Sequence, residues 1–178
     1  MRHQDRTLRI IGGNWRGRKI TFPEHDGIRP TGDRVRETLF NWLMHDIRGA
    51  ACLDLFAGSG VLSIEALSRS ANHATLIESN EAASSRISHN LALLDASPNS
   101  FDNIKSNAME WLSHCDASFD LIFIDPPFGS DLLPSVLALI NTRQIARKFV
   151  YLETPAELGA SDLPDQWKLY RQKHTGSV

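Results

Sequence analysis

From residue 51 onward the sequence predicts an α/β fold, with a mostly parallel sheet covered by helices on both faces. Short, nearly continuous apolar runs alternate with amphipathic stretches of helical length. That pairing indicates strands buried on both sides and linked by crossover helices. A Gly-Ser-Gly turn also follows the first of these runs, at Gly58-Ser59-Gly60. Sheets of this kind bind ligands beyond the carboxyl ends of their strands, near the point where strand order reverses.

The elements follow in order. An extended pair, Leu8–Ile11 and Arg18–Phe22, is joined by Gly12-Gly13-Asn14-Trp15-Arg16-Gly17, and a loop with Pro23, Gly27 and Pro30 follows. Val35, Leu39, Phe40, Leu43 and Ile47 then recur at helical spacing, predicting a helix over Asp33–Ile47 with Asp33 as its N-cap. The expected strands are Ala51–Phe56, Ala74–Glu78, Asn103–Ser106, Leu121–Asp125 and Phe149–Glu153. The expected helices are Gly60–Ser70, Asn80–Asp95, Ala108–His114 and Asp131–Asn141. Asn80 is a good cap, and Glu81 in the first turn complements the helix dipole. Residues 1–30 read as a basic extension with a hairpin and 31–178 as the main domain.

Composition fits one soluble unit: 178 residues, 42% hydrophobic and 22% charged. No apolar stretch is long enough to span a membrane, and the start at Met1–Arg6 lacks the apolar run of a secretory signal. Two cysteines and seven dispersed histidines give neither a bridge framework nor metal-ligand spacing. A cytoplasmic, metal-free monomer is the expectation. The net charge of −2 is unevenly spread. Residues 1–36 hold nine Lys/Arg against four acids, and the remainder ten against seventeen. A basic end on an acidic body suits a polyanion held at one edge.

The strongest chemical signal is Asp125-Pro126-Pro127-Phe128, directly behind the apolar run Leu121–Ile124. Two prolines fix φ near about −65° and remove two N–H donors, so an acid and an aromatic ring are held on a stiff bend. This suits a planar base with an exocyclic amine, although an ordinary strand-ending turn has the same outline. Gly58 and Gly60 allow a tight bend and close backbone approach at a helix N-terminus. They also begin a dinucleotide fingerprint, but Ser63 occupies the third glycine position. Glu78, eighteen residues after Gly60, can accept from both hydroxyls of a ribose or stand solvated at its strand end. Asn107 can accept from an adenine amine, with the Ala108 N–H donating to a ring nitrogen, or simply cap the next helix. Trp15-Arg16-Gly17-Arg18-Lys19 interleaves an aromatic with three cations, as a loop contacting RNA does, or as a solvated hairpin tip does.

These parts together resemble a class I S-adenosylmethionine-dependent methyltransferase: DLFAGSG at Asp54–Gly60, the acid Glu78, Asn107-Ala108, and DPPF at Asp125–Phe128. The blocks RIIGGNWRGR at Arg9–Arg18, RPTGDRVRETLFN at Arg29–Asn41 and Ser106–Met109 are similar to the bacterial 16S rRNA guanine-N2 methyltransferase family known as RsmD. The likeness covers residues 8–154 well and the remainder loosely.

The resemblance implies a Rossmann-like sheet of the seven-stranded type with a small N-terminal β-hairpin/helix extension. Relatives continue past Gly176-Ser177-Val178, so the last strand is expected to be truncated. The implied reaction is methyl transfer to the N2 of a guanine in 16S rRNA, in an assembling or assembled small ribosomal subunit. DPPF also serves adenine-N6 methyltransferases of DNA or RNA, which stays as the alternative. Asp125, Pro126, Pro127 and Phe128 are the implied catalytic set. Asp54, Phe56, Gly58, Gly60, Glu78, Ser79, Asn107 and Ala108 are the implied S-adenosylmethionine contacts, with Arg34 and Thr38 added from the helix beside its methionine end. Asn107 departs from the Asp often found there in the wider superfamily. Trp15, Arg16, Arg18, Lys19 and Arg36 are assigned to RNA, although Arg34 and Arg36 also suit a solvated helix face.

Overall fold

The computed structural model describes residues 5–23, 30–127, 129–155 and 157–174. Two strands, β1 (Arg6–Arg9) and β2 (Lys19–Phe22), form an antiparallel hairpin that precedes helix α1 (Asp33–Trp42). Then follow β3 (Ala51–Asp54), α2 (Val61–Ser68), β4 (His73–Glu78), α3 (Glu81–Leu93) and β5 (Phe101–Lys105). The rest comprises α4 (Ala108–His114), β6 (Phe119–Ile124), α5 (Leu133–Thr142) and β7 (Ala146–Leu152). The main sheet runs β5-β4-β3-β6-β7, and all its pairings are parallel. Between β5 and β6 the chain crosses from the β5 edge back to the other side of β3. The loops after β3 and β6 therefore face each other at the switch point, with Asp54 in register with Phe123.

Alternation along the strands explains the unbroken apolar runs. Cys52, Leu121 and Phe123 face one core with α1, α2, α3 and the hairpin, while Leu53, Leu55, Ile122 and Ile124 face another with α4 and α5. The central strands β3, β4 and β6 thus bury both their faces. Five strands lie in this sheet among the described residues, against the seven-stranded type expected. Residues 163–174 add no strand to β7. Leu169 and Tyr170 there are 54% and 67% exposed, so the segment presents no buried alternating face.

The hairpin is fastened to the main body. Ile10 and Ile20 sit in the core, the Asn14 N–H donates to Ser68 O at 2.7 Å, and the Trp15 N–H donates to Ser68 Oγ at 2.9 Å. Gly13 has φ +74°, and a Cβ there would lie 1.9 Å from Ser68 O, so only glycine admits this approach.

Three readings of the α1 region are corrected. The N-cap is Gly32 without a side-chain bond, because the Asp33 carboxylate turns to Arg36 at 2.5 Å. The helix ends at Trp42 rather than Ile47, and Leu43 and Ile47 enter the core from the turns that follow. Arg36, assigned to RNA, is wholly buried. Its guanidinium donates to Glu65 Oε1 at 2.7 Å, to Thr31 O and to Arg9 O, and Glu65 also accepts the Ile11 N–H. A guanidinium with four partners inside the protein has nothing left for a phosphate. Removing one member of such a pair costs about 3–5 kcal/mol, so Arg36 joins hairpin, α1 and α2 into one body.

Candidate active site

The carboxyl ends of β3, β4, β6 and β7 converge around the turn after β3. That turn leaves the sheet through bonds to both neighbours: the Leu55 N–H to Phe123 O at 3.1 Å and the Ala57 N–H to Ile77 O at 3.0 Å. Gly60 then caps α2 at φ +74°, where a Cβ would lie 3.0 Å from Ile87 Cγ1. The bend and its packing against α3 together call for glycine there.

Glu78, at the end of β4, clamps the turn. Its Oε2 accepts the Gly58 N–H and its Oε1 the Asn80 N–H, both at 2.7 Å. Each oxygen keeps a second lone pair for a ribose hydroxyl. Asp54, 3% exposed, lies at the end of β3 and accepts the Ser63 hydroxyl at 3.1 Å. Burial pushes its carboxyl up to about 7; the Ser63 bonds oppose the rise and the Glu78 charge adds to it. Ser63, where a dinucleotide fingerprint has its third glycine, is therefore an internal donor to this acid.

Asp125 follows β6. Burial, then the charges of Glu153 and Asp54, push its carboxyl up to about 8. Beyond it Pro126 is half-buried and Pro127 exposed, while Phe128 lies outside the described residues. The Pro127 carbonyl accepts the Ser130 N–H at 3.1 Å and the Ser130 hydroxyl at 2.8 Å, which tightens the bend. A cavity of about 50 Å³ is lined by Thr31, Asp54, Phe56, Gly58, Ser59 and Asp125, among others. The proline corner and the glycine turn thus open onto one space.

A buried acid beneath positive-φ glycines, with a second acid at the next strand end, fits the ammonium and ribose of an aminoacyl nucleoside such as S-adenosylmethionine. Asn107 caps α4, its Oδ1 accepting from the Met109 and Glu110 N–H groups at 2.9 and 3.2 Å. The acceptor read as facing an adenine amine is thus engaged by the helix. Ala108 is buried, Ser79 exposed and Phe56 half-buried. Arg34 is exposed in the first turn of α1. Thr38 faces an open groove of about 840 Å³ along β6, β7 and residues 163–174, which Tyr151 and Glu153 also line, and there its hydroxyl donates to Arg34 O and accepts from Lys173. The structure does not bring Thr38 to the glycine turn.

The hairpin residues divide. Arg16 and Lys19 are exposed, and Trp15 is half-buried against the core. Arg18 donates to Leu93 O and Leu94 O, so its charge caps the C-terminus of α3.

Sequence reasoning missed Glu153, Tyr151, Thr31 and Ser63. Glu153 follows β7. Its N–H donates to Ile124 O at 2.9 Å, and its Oε2 accepts the Thr31 hydroxyl at 3.0 Å and the Tyr151 hydroxyl at 3.3 Å. Burial and the carboxyls of Glu153 and Asp125 push the Tyr151 phenol up, keeping it a donor. One signal was available in the sequence: two of the five parallel strands end in an acid, at Asp54 and Glu78, and two more are followed directly by one, at Asp125 and Glu153.

Comparison with known proteins follows the same lines. The family model described as Conserved hypothetical protein 95 matches residues 8–178. Ribosomal RNA small subunit methyltransferase D of Escherichia coli K12 is 47% identical over 173 residues, covering 96% of this chain and 86% of the relative. The Haemophilus influenzae protein of the same name is 39% identical, over 96% and 90%. The solved structure of yhhF from Escherichia coli superimposes with a TM-score of 0.83 at 44% identity, covering 96% of this chain and 93% of that one. The chain belongs to the family described as Conserved hypothetical protein 95, the ribosomal RNA small subunit methyltransferase D family.

Proposed function

We propose that this protein transfers a methyl group from S-adenosylmethionine to the exocyclic N2 of a guanine in 16S rRNA, in the cytoplasm, as a monomer acting on an assembling or assembled small subunit. The observation that carries it is the single cavity shared by buried Asp54, the glycine turn and Asp125. The family's name supports a ribosomal RNA substrate. The N-terminal blocks support guanine over the adenine alternative.

When bound, S-adenosylmethionine supplies a methyl group on a positively charged sulfur. The protein's part is to prepare the amine and receive its proton. The guanine N2 lone pair is delocalised into the ring, so the nitrogen must become tetrahedral to attack. The Asp125 carboxylate and the Pro126 carbonyl each accept one N–H, which favours that geometry and stabilises the positive charge growing on nitrogen. The methyl would come from that sulfonium, which would leave as the neutral thioether. The surplus proton on nitrogen then passes to Asp125, whose raised affinity suits it to this task, and leaves to water. Asp54 and Glu78 hold the ammonium and ribose of the donor. Phe128, next in sequence after Pro127, would stack on the base, worth roughly 1–3 kcal/mol. Arg16 and Lys19 contact phosphates, with Trp15 beside them.

The test is transfer of labelled methyl to small subunits lacking the mark, followed by nucleoside mass spectrometry. N2-methylguanosine in 16S rRNA is the expected product. N6-methyladenosine, or no transfer to subunits or their naked RNA, overturns the proposal. Calorimetric binding of S-adenosylhomocysteine but not NAD distinguishes it from dinucleotide chemistry.

A further inference from the structure

We propose that Glu153 selects guanine by accepting the ring N1–H of the base whose amine Asp125 holds, an inference that rests on the function proposed above. Strands β6 and β7 are parallel neighbours with Ile124 in register with Leu152, so Asp125 and Glu153 leave the sheet side by side. Adjacent parallel strands lie about 4.8 Å apart, within the span of one edge of a planar ring. Asp125 lines the small cavity and Glu153 the adjoining groove, with Thr31, bonded to Glu153, lining the cavity as well. The two acids sense each other, since Glu153 is the leading charge acting on Asp125.

Glu153 is also built as a fixed acceptor. Two hydroxyls from separate segments, Thr31 before α1 and Tyr151 on β7, converge on one oxygen, Oε2. Thr31 is 4% exposed, and the Tyr151 ring packs edge-on against Phe123 at 6.5 Å, so neither donor is free to wander. A carboxylate positioned this way can accept further hydrogen bonds but cannot donate one.

The chemistry of the base completes the argument. Guanine carries N1–H directly beside the N2 amine, giving two adjacent donors for two adjacent acids. Adenine carries an unprotonated N1 beside its amine, so a carboxylate there would meet a lone pair and stay unpaired. Sites built to bond a particular hydrogen reject analogues lacking it far more strongly than apolar pockets reject a missing methylene. Asp125 alone accepts either amine, whereas Glu153 distinguishes them.

The test uses small subunits reconstituted with guanine or 2-aminopurine at the accepting position. 2-Aminopurine keeps the 2-amine and loses N1–H. The wild-type protein is expected to prefer guanine by about 100-fold or more in kcat/KM. Glu153→Gln, whose amide can donate to an unprotonated N1, should cut that preference at least about tenfold by losing guanine and gaining 2-aminopurine. Tyr151→Phe, which removes one orienting hydroxyl, should weaken the preference less. Equal use of both bases by the wild-type protein overturns the inference while leaving the methyl-transfer reading intact. So does an unchanged preference in a folded Glu153→Gln protein; if that variant fails to fold, the wild-type ratio and Tyr151→Phe still decide. No methylation of guanine by the wild-type protein defeats the functional reading itself, and this inference with it.

Discussion

The two halves of the sheet treat their acids differently. On the β3–β4 side, Glu78 is bonded by two backbone N–H groups and Asp54 by Ser63, so the acids hold the protein's own loop in shape. On the β6–β7 side, Asp125 and Glu153 follow neighbouring strands, and burial with the charges of Glu153 and Asp54 raises Asp125 to about 8. The first half is preorganised and internally satisfied, as suits a cofactor of constant shape. In the second half burial and neighbouring charge oppose the ionisation of Asp125, and a substrate that brings N–H donors favours its carboxylate. Stability is spent where the chemistry happens.

The largest expected effect breaks the contrast at Asp125. Asp125→Asn should lower kcat by about 10²–10³, the usual cost of losing one preorganised electrostatic contact in a transition state. Affinity for S-adenosylhomocysteine, read by calorimetry, should change little because the β3–β4 side is untouched. A comparable loss of that affinity would mean the two halves are not separate in function.

Glu78→Ala acts on the opposite half. It removes both the ribose acceptor and the clamp on the Gly58 and Asn80 N–H groups. Each lost bond to a charged group is worth about 1.5–3 kcal/mol, so S-adenosylhomocysteine should bind about 10- to 100-fold more weakly. At saturating cofactor kcat should fall much less than it does for Asp125→Asn. Unchanged affinity would make Glu78 purely a loop clamp.

The same contrast marks where the sequence could be read and where it could not. The strand-helix alternation, the α3 cap at Asn80 and the bounds of α4 were legible, because each depends on local periodicity or a single capping bond. The placement of Asp125 beside the glycine turn followed from the parallel order. Arg36 was misread because a charged side chain on a helix is normally solvated. Its burial depends on Glu65, twenty-nine residues away, a pairing no local pattern announces. Glu153 was passed over for a related reason. Its role depends on β7 lying next to β6 and on Thr31 arriving from before α1, and both are tertiary facts.

The smallest effect, in stability, sharpens the comparison most directly. Asp54 and Asp125 have folded pKa values of about 7 and about 8, above the ordinary 3.8. Between about pH 4 and 8 the folded protein therefore keeps protons that the unfolded chain releases, and stability falls as pH rises through that window, levelling off above it. Each retained proton contributes up to about 1.4 kcal/mol per pH unit, less where water reaches Asp125. Without ligand, the thermal midpoint should drop by about 2–4 °C per unit near neutrality. The charges acting on Asp125 are those of Glu153 and Asp54. Replacing Asp125 with Asn should therefore flatten the slope and raise the midpoint at pH 8. The Asn107→Ala change, which removes only the α4 cap, should lower the midpoint equally at every pH. A midpoint that rises with pH in the wild-type protein would mean these carboxyls are ionised and stabilised in the empty site, and the strain assigned to the β6–β7 side would not exist.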